Sequence, residues 1–138
     1  MRNLILLNRT SRPWPWPRQL FFAVWARARQ FYGKRLGEKQ LSLVFITVVE
    51  AKRLNKLYRR QNKPTNVLAF AGQTPDELGD ILICLAVARR QAELLSLPVN
   101  EWLVYLFGHG LLHLLGFAHN NRRQAARLER AWQRLCPV

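Results

Sequence analysis

Three histidines, His109, His113 and His119, are the only ones in a chain of 138 residues, and all three fall in the stretch GHGLLHLLGFAHNN at 108–121. On a helix, side chains four apart lie about 40° apart in projection and about 6 Å apart along the axis, so His109 and His113 can converge on one ion. Gly116 can take the left-handed conformation that stops a helix and turns the chain back, which brings His119 in from another direction. Three neutral imidazoles with one position left for water describe a catalytic zinc site, whereas structural zinc usually closes its shell with four ligands, mostly cysteine. Neither Cys84 nor Cys136 lies in the segment, and only the fold can bring Cys84 near it. A lone histidine is more often a structural residue. Three at this spacing around a glycine, in a chain that has no other, point to one metal ion on His109, His113 and His119.

The spacing HxxxHxxGxxH is also that of metzincin proteases, in which a glutamate directly after the first histidine is the general base. Here that position is Gly110, so the zinc geometry is kept and the peptidase's proton acceptor is missing. A phosphodiester suits what remains: the metal can acidify water and polarise a phosphoryl oxygen, and a cation must hold the phosphate. Arginine matches phosphate oxygens in a bidentate arrangement. Arg53, Arg59 and Arg60 are the candidates, and spacing alone does not choose among them.

Charge points to the same class of substrate. The net charge is +14, with 14 basic and 2 acidic residues over 1–60, 3 and 5 over 61–119, and 5 and 1 over 120–138. The histidine segment is thus bracketed by basic flanks, and a long-range positive field attracts polyanions, of which nucleic acid is the commonest in a cytoplasm. An ordinary solvated basic surface or an anionic membrane surface are the other readings of the charge. The longest apolar runs, eight residues at 81–88 and seven at 20–26, are, like the six at 102–107, far below the roughly 20 needed to span a bilayer. Two cysteines are too few for a disulfide framework, and no cleavable leader pattern opens the chain, so a cytoplasmic protein with no membrane association is expected.

Elements must position these residues, and the length suits one domain over 1–138. Residues 3–7 (NLILL) read as a strand, and SRPWPWPR at 11–18 as a stiff extended connector whose Trp14 and Trp16 either cover the core edge or stack on bases. A helix over 18–31 is expected to end near Gly33. The β-branched run LSLVFITVV at 41–49 predicts a strand, followed by a helix over 50–60. Residues 66–70 and 79–84 read as an antiparallel pair of strands, then helices follow over 85–97, 98–115 (started by Pro98 and closed by Gly116) and 121–135.

These segments are recognisable together. GHGLLHLLGFAH resembles the signature HGxLHLxGYDH of the YbeY family of single-domain, metal-dependent endoribonucleases implicated in bacterial ribosomal RNA maturation. LNKLYR (54–59), KPTNVLAF (63–70) and LGDILIC (78–84) look like further conserved segments of that family, so the likeness is dense over 54–119. The resemblance implies an α+β fold, with a small mixed sheet of about four strands packed with helices and a zincin-like metal-bearing helix. It implies one zinc per chain on His109, His113 and His119, and it singles out Arg59 as the functional arginine facing the metal cleft. It further implies cleavage of single-stranded RNA, 16S ribosomal RNA 3′-end processing and ribosome quality control, with ribosomal RNA precursors as substrate and ribosomal proteins or assembly GTPases as partners. Oligomeric state is not readable. The chain departs from the pattern at Ala118, where the signature has Asp, at Ala69, where it has Ser, and at Asn66, where Asp is also common. A carboxylate beside the third histidine could orient that ring or accept a proton, so Ala118 bears on turnover more than on metal binding. This loss favours an alternative, a non-catalytic RNA-binding assembly factor with a structural metal.

Overall fold

The computed structural model describes residues 3–11, 13, 17–59 and 65–137, with Arg59 described by its backbone only. The chain runs β1 (Leu4–Asn8), α1 (Arg18–Leu36), β2 (Gln40–Ile46), α2 (Val48–Arg59), β3 (Val67–Ala71), β4 (Glu77–Cys84), α3 (Leu85–Leu94), α4 (Val99–Leu114) and α5 (Arg122–Leu135). Four strands form one mixed sheet in the order β1-β2-β4-β3. β1, β2 and β4 are parallel, while β3 runs antiparallel to β4 with Ala69 opposite Ile81. This is the α+β fold with a small mixed sheet that the sequence led us to expect.

Side chains alternate across the sheet, so each strand feeds two cores. Leu41, Leu43, Phe45, Ile81 and Ile83 face the larger one, where Phe21 and Trp25 of α1, Phe107 and Leu111 of α4, and Leu128 and Trp132 of α5 are also buried. Val44, Ile46, Leu68, Leu82 and Cys84 face the smaller one, covered by Ala51 and Leu54 of α2. Cys84 is thereby committed to the apolar core, and burial raises the pKa of its thiol.

Three boundaries differ from the sequence expectation by three residues or more, each for a local reason. The run of β-branched residues does not continue β2 to residue 49. Thr47 leaves the strand, and its Oγ1 accepts the Glu50 N–H at 3.2 Å, so Val48 and Val49 start α2 instead. TVVE is a Thr-x-x-Glu helix start, a signal stronger here than β-propensity. α1 passes Gly33 with a kink at Tyr32 (φ −128°, ψ 24°) and continues to Leu36, whose full burial ties the last turn to the core. α3 stops at Leu94 because the chain reverses at Ser96 (φ 56°), the Leu97 N–H returning to the Ala92 carbonyl. The readings of Trp14, Trp16 and Arg60 lie outside the described residues.

Candidate metal centre

α4 lies across β3 and β4, and α5 packs against its other side. The glycines flanking His109 make both approaches close. A methyl group at Gly108 would meet the Trp132 ring at 2.0 Å, and one at Gly110 would meet Ile81 at 3.0 Å. The GHG triplet is therefore a place where helix and sheet, and helix and helix, touch backbone to side chain. The Cβ of a glutamate at 110, as the peptidase reading requires, would need the fully buried Ile81 to give by a few tenths of an ångström.

α4 ends where Gly116 takes φ 99°, and the Phe117 N–H bonds back to the Leu112 carbonyl at 3.0 Å. That reversal returns His119 toward the helix, and its ring stands 4.9 Å from that of His113, centroid to centroid. His113 Nδ1 lies 2.9 Å from the Phe117 carbonyl oxygen. A carbonyl only accepts, so the proton sits on Nδ1 and the lone pair on Nε2, the form in which an imidazole binds a metal. The predicted turn thus supplies both His119 and the bond that orients His113.

His109 is placed differently. Its ring lies 4.0 Å from that of Tyr105, tilted by 35°, with Trp132 at 5.9 Å. Its Nε2 is 3.4 Å from Glu129 Oε1 but is buried without a hydrogen-bond partner among the described residues. Burial pushes the His109 pKa down to about 4; Glu129 opposes the shift, and His113 and His119 add to it. The ring is therefore neutral near pH 7. Tyr105 donates to Glu129 at 2.9 Å, and burial, followed by that bond, pushes its pKa up to about 12. Among the described residues no three His, Cys, Asp or Glu side chains stand close enough to hold one ion. The structure brings His113 and His119 together and leaves His109 one turn up the same helix, on the aromatic side. The donor set nevertheless suits zinc: a tautomer fixed at His113, a neighbouring imidazole at His119, and a buried neutral imidazole at His109 whose Nε2 has no partner.

His113 and His119 open on a cleft of about 500 Å³ between α4 and β3, lined also by Asn66, Val67, Ala69, Gly110, Ala118 and Asn120. The departures from the resembled pattern, at positions 66, 69 and 118, are all on this wall, and no carboxylate is among its described residues. Asn66 donates to Gln91 Oε1 at 3.0 Å, an oxygen that also accepts from the Trp102 indole at 3.2 Å. Arg59 ends α2; its side chain is outside what the structure describes. Arg53 is exposed and lies 3.9 Å from Glu50 in a separate groove between α2 and the sheet. Sequence reasoning missed Tyr105, Glu129 and Trp132 around His109. Tyr105 was open to inference, four residues before His109 on one helix face, but Glu129 and Trp132 arrive through the packing of α5.

Comparison with known proteins places this geometry. The family model described as Endoribonuclease YbeY matches residues 19–136. An Endoribonuclease YbeY from Syntrophus aciditrophicus is 39% identical over 107 residues, covering 71% of this chain and 67% of that protein. Another, from Alkalilimnicola ehrlichii, is 34% identical over 120 residues, covering 82% and 72%. The solution structure of TM1509 from Thermotoga maritima has the same fold, with a TM-score of 0.63 at 21% identity over 96% of this chain and 88% of that one. A family match spanning nearly all of the elements described above, together with relatives of this similarity, means that the chain belongs to the Endoribonuclease YbeY family.

Proposed function

We propose that the chain is an endoribonuclease that hydrolyses single-stranded RNA at the α4–β3 cleft, using one zinc ion held by His109, His113 and His119. The observation that carries this reading is the His113–His119 pair, with His113 oriented by the Phe117 carbonyl, at the mouth of a cleft large enough for a nucleotide. Zinc, when bound, supplies a Lewis acid for the phosphoryl oxygen and makes water acidic enough to attack near neutral pH. His113 contributes a ring locked in one tautomer, and His109 a neutral one. Arg59 is assigned the scissile phosphate, which its planar donors grip in a bidentate manner. The substrate is ribosomal RNA precursor, with the 16S 3′ end as the processing site and a role in ribosome quality control in the cytoplasm. Ribosomal proteins or assembly GTPases are its partners. No helix among the described residues is long and apolar enough to cross a membrane.

The test is cleavage of a 16S precursor at controlled zinc, with elemental analysis of the same preparation. One zinc per chain is expected, and His113→Ala and Arg59→Glu should each lower the cleavage rate at least about a hundredfold. Full activity in both variants would refute the mechanism. The carboxylate-free wall made by Asn66, Ala69 and Ala118 favours one competing reading, an RNA-binding assembly factor whose zinc is structural. On that reading the wild type binds the precursor without cutting it, and His113→Ala chiefly lowers Tm.

A further inference from the structure

The histidine cleft is not isolated. Ala118 is shared between it and a depression of about 200 Å³ lined by Arg35, Gly116, Phe117, Gln124 and Arg127. Phe117 and Arg127 are in turn shared with a second depression of about 230 Å³, lined also by Arg130, Ala131 and Arg134. The three depressions, adjoining through these shared residues, form a furrow that leads from the histidines past the small neutral side chain of Ala118 and along α5.

The sequence of α5 makes that furrow cationic. Arg123, Arg127, Arg130 and Arg134 follow at intervals of 4, 3 and 4, which at 100° per residue confines them to an arc of about 60°, over about 16 Å of axis. All four are exposed. None of the ion pairs among the described residues involves them, since the helix's one acid, Glu129, faces Tyr105 and His109. Like charges at these spacings weaken a helix, so the stripe is better tolerated with a polyanion beside it. α1 supplies the far bank. The Arg35 guanidinium is held on the Leu115 carbonyl, Arg134 reaches the Tyr32 hydroxyl at 3.5 Å, and the Arg134 guanidinium lies 5.9 Å above the ring of Phe31, which is 46% exposed.

We propose that this furrow is a second, sequence-independent RNA site, in which the α5 arginines hold successive phosphates of a single strand and Phe31 offers a face for a base, delivering the strand past Ala118 to the histidines. The inference rests on the RNA-hydrolase reading of that cleft. Arginines interleaved with an exposed aromatic ring match single-stranded nucleic acid, where phosphate contacts hold the backbone and stacking tolerates any base. A membrane surface fits less well. An interfacial helix must offer its apolar face to lipid, and in α5 that face, made by Leu128, Ala131, Trp132 and Leu135, is buried in the protein.

The test compares Arg127→Gln/Arg130→Gln/Arg134→Gln with a charge-matched control, Arg18→Gln/Lys52→Gln/Arg90→Gln, whose positions are exposed and lie elsewhere. Binding of a fluorescein-labelled single-stranded oligouridylate is read by anisotropy on metal-free protein across a salt series. The α5 triple should bind about tenfold or more weakly at about 0.15 M salt, and its slope of log K on log salt should be shallower by about 2, from ~0.7 per lost phosphate contact on a single strand. The control should keep the wild-type slope, and Lys at the three α5 positions should restore most of it. Equal weakening in both triples, or no change in the α5 triple, overturns the site. So does an α5 triple that loses binding only to phosphatidylglycerol vesicles. Cleavage separates this inference from the one beneath it. A wild type that binds through the stripe but never cuts sinks the nuclease reading alone, whereas a wild type that cuts with a KM shared by the α5 triple sinks the furrow alone.

Discussion

Ala118 sits between two surfaces of opposite need, the wall of the histidine cleft and the first arginine-lined depression. A carboxylate there would be placed to orient His119 or His113, and such partners typically change metal affinity or activity 10- to 100-fold. Ala118→Asp is therefore expected to raise the cleavage rate by about tenfold or more at saturating zinc, with a smaller change in zinc affinity. An unchanged rate would mean that residue 118 only shapes the turn. At this scale the sequence was most informative where chemistry is local. The His109–His113 spacing and the Gly116 reversal are encoded within eleven residues, and the structure realises the reversal with φ 99° and the His113–Phe117 bond. It was least informative for His109. The orientation of that ring depends on Tyr105, Glu129 and Trp132, and two of the three are about twenty residues away and reach it only through tertiary packing.

Two glycines on α4 separate packing from propensity. Alanine in a helix interior gains about 1 kcal/mol over glycine, so both positions would favour alanine if nothing were near. At Gly108 the added carbon would fall 2.0 Å from a Trp132 ring that is itself buried, and overpacking of that kind costs roughly 1–3 kcal/mol or more. Gly108→Ala should thus lower stability by about 2 kcal/mol in urea denaturation, while Gly110→Ala, at 3.0 Å from Ile81, should fall within about 1 kcal/mol of wild type. Similar losses in the two would show that α5 is free to move off α4. Thr47→Ala, which removes the Glu50 N–H acceptor at the start of α2, should cost about 1 kcal/mol. Elements were legible in kind and blurred at their ends. The sequence distinguished strands from helices throughout, but the β-branched pair Val48–Val49 reads as strand by propensity and is helix because Thr47 caps it. The antiparallel β3–β4 pair was legible from a short turn-rich loop. The strand order was not, because nothing local records which parallel neighbours meet.

A net charge of +14 with so few ion pairs among the described residues makes self-repulsion a property of the whole molecule. Raising salt from about 10 mM to 0.1 M shortens the Debye length from about 30 to 10 Å, which screens distant like charges while leaving the apolar cores untouched. Tm should therefore rise by a few degrees across that range. A falling Tm in differential scanning calorimetry would mean that attractive pairs dominate instead. The uneven charge was visible as numbers along the chain, but its gathering onto one furrow was not, since that needs α1 and α5 side by side. The same packing has a consequence for biosynthesis. Trp132, which covers Gly108 and flanks His109, is borne by the last helix, so a growing chain displays its GHG helix uncovered until α5 has emerged and docked. The His109 side of the centre is then finished only after the ribosome has made almost all of the described chain.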